Sequence, residues 1–183
     1  IPVLGKETTT CSVMSYGYNP LISSWSPYHG AMYAIVESVA KIVAMGGNYH
    51  TVRFSFQEFF EKLLDVPSKW GKPFAALLGA FKVQEELKLP SIGGKDSMSG
   101  SFEDLDVPPT LVSFAITKAE VEDVITPELK AKDHTLVEIM LLKDEYKIFD
   151  FDSLQKTYDY VAKLMKDKKV EGISDLRDES SRS

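Results

Sequence analysis

Apolar and polar positions switch between two periods along this chain, and the switches mark out its elements. Thr8–Tyr16 alternates as a strand and ends at the turn signal Gly17-Tyr18-Asn19-Pro20. From Pro27 to about Met45, apolar residues surround almost the whole helical circumference, among them Ala31, Ile35, Val36, Val39, Ile42 and Val43. That pattern predicts a buried helix stopped by Gly46-Gly47. Tyr49–Phe56 returns to strand alternation, with Val52, Phe54 and Phe56 on one face. Gln57–Leu64 reads as a short helix anchored by Phe59 and Phe60, and Pro67–Pro73 as a connecting loop. Phe74–Lys88 predicts a second long helix, apolar at Phe74, Leu77, Leu78, Phe81 and Leu87.

Beyond a loop at Leu89–Gly100, Pro109–Thr117 predicts a strand and Lys118–Lys132 one helical turn with a linker. His134–Leu142 predicts a further strand, and Ser153–Lys168 an amphipathic helix opened by Asp152 and Gln155 as a variant capping box. Helices and strands alternate without repeats, so the class is α/β (α+β), a mixed sheet carrying helices on one face. The polar, serine-rich end at 171–183 is expected to be a disordered tail.

Composition narrows the function classes. With 44% hydrophobic residues the chain builds a core rather than staying disordered. A net charge of −6 with no basic stripe excludes general nucleic-acid binding. No apolar run spans a membrane and no signal peptide is visible, so a cytoplasmic location is expected. The lone Cys11 excludes an intrachain disulfide and reads as a structural thiol. The chain begins at Ile1 rather than Met, which suggests a piece of a longer protein.

Four places could carry chemistry. Leu89–Gly100 contains Gly93-Gly94-Lys95-Asp96-Ser97-Met98-Ser99. It reads either as a phosphate or substrate loop, using glycine freedom and an anion-binding nest of amides, or as a tight solvated turn. It is not a Walker A loop, because Asp96 follows the lysine. Glu37 and Lys41 are the charges on the first long helix, four residues apart and suited to an ion pair. The alternative for Glu37 is a divalent-cation ligand. His29, before that helix, faces a phosphate or merely satisfies a helix-entry carbonyl. Arg53 and Gln57 are candidates for polar ligand contacts, or plain surface-strand residues.

Three ordered blocks resemble the phosphoribosylformylglycinamidine synthase family. They are Ser26-Pro27-Tyr28-His29-Gly30-Ala31-Met32-Tyr33, Trp70-Gly71-Lys72-Pro73-Phe74-Ala75, and Ile92-Gly93-Gly94-Lys95-Asp96-Ser97-Met98-Ser99-Gly100 with Asp106-Val107-Pro108-Pro109 after it. The likeness runs over roughly residues 7 to 165. It implies an aminoimidazole-ribonucleotide-synthetase-like N-terminal domain over 1–132 and the start of a C-terminal α/β domain over 133–170. The family is an ATP- and glutamine-dependent ligase that converts formylglycinamide ribonucleotide to the amidine. The resemblance therefore implies ATP or ADP and Mg2+ as cofactors. It implies a glutaminase domain and the other domains of the same enzyme as partners, with a possible dimer through the N-terminal domain. The resemblance implies that a glutamate at the position of Glu37 holds magnesium beside a nucleotide, some members adding an asparagine where this chain has Lys41. His29, Arg53, Lys95, Asp96, Ser97 and Ser99 are the implied nucleotide, phosphate or substrate contacts. The Gly-Gly-Lys-Asp-Ser-Met-Ser wording is similar to the half of the synthetase core that holds a nucleotide structurally. The segment Arg53–Glu58 lacks the glycine and asparagines of the catalytic halves, so catalysis is expected to be lost at that site; without the family's glutaminase domain and first synthetase half, the chain alone is expected not to be an active ligase.

Overall fold

A computed structural model describes residues 1–174, so most of the expected tail at 171–183 lies outside the described residues. The strands are β1 (Thr10–Gly17), β2 (Arg53–Phe59), β3 (Ser91–Lys95), β4 (Ser101–Phe102), β5 (Leu105–Asp106) and β6 (Thr110–Glu120). Four of them form one sheet in the order β1-β6-β2-β3, while β4 and β5 pair as a separate short ribbon. β2 and β3 run parallel; β6 is antiparallel to both β1 and β2. The expected mixed sheet is the one found.

Its inner face carries Cys11, Val13, Phe54, Phe56, Leu111 and Ala115, all buried. Over it lies α2 (Pro27–Ala44), entered from the short α1 (Pro20–Trp25). Asn19 Oδ1 caps α1 by accepting from the amides of Leu21 and Ile22, at 3.0 and 3.2 Å. Ser26 caps α2, and Gly46, at a φ of 88° that disfavours a side chain, follows its end as expected. The outer sheet face has no covering layer among the described residues. Met14, Tyr16, Phe114 and Ile116 there are between 37% and 54% exposed.

The second long helix, α3 (Pro67–Leu87), begins seven residues before the expected start. Pro67 is tolerated because it occupies the first helical position, where no backbone amide is needed. Val66 gives no side-chain cap, so charge supplies the start signal. Glu61, buried beside the first turns, pairs with Lys69 at 2.5 Å and with Lys72. These lysine contacts hold the Glu61 carboxyl at about 2, below its ordinary value. Its contribution to stability is therefore present above the ordinary carboxylate range and lost as pH falls toward 2. Glu61→Gln should cost about 2 kcal/mol at neutral pH, the lysines being partly solvated, and flatten the acid limb of a urea-denaturation series.

Four further expectations are corrected. Gln57–Leu64 is not a helix: β2 continues to Phe59, paired along β6, and Phe60 and Leu63, both buried, anchor the following segment. Tyr49–Thr51 is one turn of 3-10 helix before the strand. His134–Leu142 forms no strand, because no sheet strand takes it as a partner; one bridge, Lys143 to Phe149, follows it. The last helix, α4 (Phe151–Lys166), is capped by Asp150 rather than Asp152, through Ser153 N at 3.0 Å. Its Leu154 and Tyr158 share the core of α2, and the Tyr158 hydroxyl donates to Val36 O at 3.0 Å.

Of the apolar positions expected on α3, Leu87 is buried, but the other four face the other way. Phe74, Leu77, Leu78 and Phe81 are 45–64% exposed, whereas Ala76, Gly79, Ala80 and Val83 are buried. Small residues win the inner face because α2 and α3 approach too closely for large ones. A Cβ on Gly79 would sit 2.0 Å from Tyr28 O.

Candidate functional site

The Gly-Gly-Lys-Asp-Ser segment is where the sequence points, but its backbone is not a loop. Ser91–Lys95 forms β3, an exposed edge strand built by pairing with β2 rather than by its own pattern. Gly93 and Gly94 have no positive φ; Gly94 instead permits close approach, since a Cβ there would lie 2.6 Å from Phe56 O. The anion nest is corrected in part as well. Ser97 N donates to Glu58 O at 3.1 Å and Gly100 N to Phe60 O at 2.9 Å, so those amides are unavailable to a phosphate. The Ser97 and Ser99 hydroxyls bond each other at 2.8 Å, and Lys95 Nζ donates to Asp96 O at 2.9 Å.

Between β3, the end of β2 and α3 runs an open groove of about 320 Å³. Of the expected contact residues, Lys95 and Asp96 line it, together with Phe56, Glu58, Leu77 and Met98. Glu58 is the residue that the sequence reading missed. It points to the inner face behind Phe54 and Phe56, is 9% exposed, and makes no side-chain hydrogen bond or ion pair among the described residues. Burial, with the Asp96 charge added, pushes its carboxyl up to about 7. The signal was the period-two run Phe54, Phe56, Glu58, concealed by reading Gln57 onward as helix.

The other candidates sit apart from the groove. Glu37 Oε2 accepts from Tyr18 N at 3.1 Å while Oε1 takes Lys41 Nζ at 2.6 Å. Lys41 also donates to Tyr16 O at 2.9 Å, so the pair closes the chain reversal after β1. The ion-pair reading of Glu37 and Lys41 is thus the arrangement found. As it stands, this donor set does not fit a magnesium ion, and no cluster of three His, Cys, Asp or Glu able to hold a metal occurs among the described residues. His29 has both ring nitrogens engaged, Nδ1 with Ser26 Oγ at 2.8 Å and Nε2 with Tyr146 O at 2.9 Å. The second contact requires Nε2 to donate and ties the 144–148 turn to α2. Arg53 lies on the outer sheet face and returns its guanidinium to Val52 O at 2.8 Å. No helix among the described residues is long and apolar enough to cross a membrane.

Comparison with solved structures places this fold. PurL of T. maritima bound to AMPPCP superposes with a TM-score of 0.67 at 16% identity, over 88% of this chain and 26% of that one. The fold is that of the PurL structures. The same organism's PurL bound to FGAR gives a TM-score of 0.64 at 16% identity, over 90% of this chain and 25% of the other. Its phosphoribosylformylglycinamidine synthase II gives 0.63 at 16% identity, with coverages of 90% and 25%. The chain thus spans about a quarter of the length of the proteins it matches. No protein-family model and no curated protein matches the sequence. The likeness seen in three sequence blocks and the likeness in structure point to the same proteins, and the synthetase-like fold class is the one found.

Proposed function

We propose that this chain is a segment of the synthetase core of a phosphoribosylformylglycinamidine synthase, acting in purine biosynthesis as part of a larger ATP-dependent ligase. The observation that carries the reading is the PurL fold over 88% of the chain, found where the Gly-Gly-Lys-Asp-Ser-Met-Ser wording already resembled that enzyme. Within the ligase, formylglycinamide ribonucleotide would be the substrate and a glutaminase domain the ammonia source. Residues 1–132 would be the N-terminal domain and 133–170 the start of the next. The outer sheet face supports pairing with a second N-terminal domain, because its apolar side chains need a cover.

The internal contacts of His29 and Glu37 favour a nucleotide-holding scaffold over a catalytic half. Neither side chain is poised toward a reacting group, and magnesium would reach Glu37 only in exchange for Lys41. His29, Arg53, Lys95, Asp96, Ser97 and Ser99 then act as position-holding or nucleotide-facing groups. The experiment is Glu37→Ala in the full-length ligase. The scaffold reading expects thermal stability and retained nucleotide to fall together, by about 2 kcal/mol in stability, with chemistry at the other half intact. A loss of turnover with stability and bound nucleotide unchanged would refute it.

A further inference from the structure

The groove beside β3 holds two acids and, among the described residues lining it, one base. Glu58 is nine-tenths buried, lines the groove, and has no hydrogen bond or ion pair among the described residues. Asp96 likewise has no side-chain partner there, since Lys95 turns its ammonium to the Asp96 backbone carbonyl. The carboxyl reaches solvent only through the groove, so a partner that enters there must bring a cation or leave the acid desolvated at a cost. The walls are apolar: Phe56, Pro73, Leu77 and Met98. Leu77 also belongs to the outward stripe of α3, where Trp70, Phe74, Leu78 and Phe81 are 45–64% exposed. On the groove's other rim, β3 ends the sheet and has a neighbour on one side only.

We propose that this groove is a docking site for a partner polypeptide that inserts an arginine side chain between Glu58 and Asp96. A planar guanidinium can donate to two carboxylates at once while its methylene stem lies along apolar walls. Apolar residues beside the insertion point would cover the α3 stripe, giving the aromatic and arginine make-up common at interface centres. A bare metal ion fits less well, because no third acid or histidine joins the pair among the described residues. Asp96 is shared with the proposed nucleotide-facing groups but Glu58 is not, so the Glu58 variant separates docking from nucleotide binding.

The groups facing Glu58 set the pH response. Asp96 and Lys95 come from β3 and the turn after it, and α3 presents only the uncharged Pro73 and Leu77. Ionising Glu58 completes the anionic pair, so docking strengthens as pH rises.

The test is an NMR titration of the full chain with acetyl-Leu-Arg-Leu-amide, following the Met98 methyl and the Gly93 and Gly94 amides. The expected result is saturable movement of those signals, with affinity lowered about tenfold when citrulline replaces the arginine, the size of one charge-assisted contact. Glu58→Gln, which keeps shape and fold, should lower it by a similar factor. Affinity should rise between about pH 6 and about pH 8 in the parent and stay flat in the variant. Equal binding of the citrulline peptide would overturn the proposal. So would competition by millimolar magnesium at the same signals, which would mark a metal site, or absence of any movement with the chain folded.

Discussion

Gly79→Val is expected to abolish the native helix packing or leave it severely weakened. The position lies on α3 where it crosses α2, and a Cβ there would fall 2.0 Å from Tyr28 O. The obstacle is backbone, so no side-chain rotation can relieve it, and the two helices must separate. Overpacking of that kind costs about 3 kcal/mol or more, and parting α2 from α3 also loosens Ala76, Ala80 and Val83 against the core. In a chain of this size the midpoint should fall by about 10 °C, or the cooperative melt should vanish. Gly71→Ala supplies the control in the same helix, because nothing lies within 4 Å of its added Cβ. It should stabilise by roughly 0.5 to 1 kcal/mol through helix propensity alone. Circular-dichroism melts of both variants check the pair, and a Gly79→Val protein as stable as the parent would remove the close helix crossing from the account.

The second large effect concerns pH. Glu58 has its carboxyl raised from 4.5 to about 7 in the fold, by burial first and by Asp96 second. The folded chain therefore binds a proton that the unfolded chain has released between those two values. Stability linked to this group is full below pH 4.5 and declines as pH rises through about 7. The total at stake is on the order of 3 kcal/mol. Glu58→Gln should remove that decline, leaving the variant close to the parent in mild acid and more stable by that order near pH 8. Denaturant titrations across the range measure it. Parallel curves for the two proteins would mean that Glu58 is solvated and the groove floor is not as described.

How far the sequence could be read depended on whether an element was defined by its own pattern or by its neighbours. α2 and α4 have continuous apolar stripes, and β1 and β6 alternate cleanly; these four were legible to within a few residues. The Glu37–Lys41 pair was legible too, because a four-residue spacing on a helix is local geometry. β3 was not legible, since its glycine-rich run becomes a strand only through the ladder with β2. The start of α3 was obscured by Pro67, Gly71 and Pro73, which read as breakers, while the signal in its favour was a distant contact from Glu61. Its inner face was misjudged because size was taken as the mark of burial, when the α2 crossing admits only small residues. Taking Glu58 as helical concealed the buried acid of the groove. Among the candidate residues, Lys95 and Asp96 come together in that groove; His29, Arg53 and Glu37 do not join them.

The central claim is that this chain is a nucleotide-holding segment of the ligase core, and a thermal-shift titration with ADP and ATP, with and without magnesium, tests it most directly. The account predicts a saturable rise in midpoint with nucleotide, without phosphate release and without dependence on magnesium; ligand at about a hundred times Kd would add about 2.7 kcal/mol. A cooperative melt whose midpoint no nucleotide moves would contradict it.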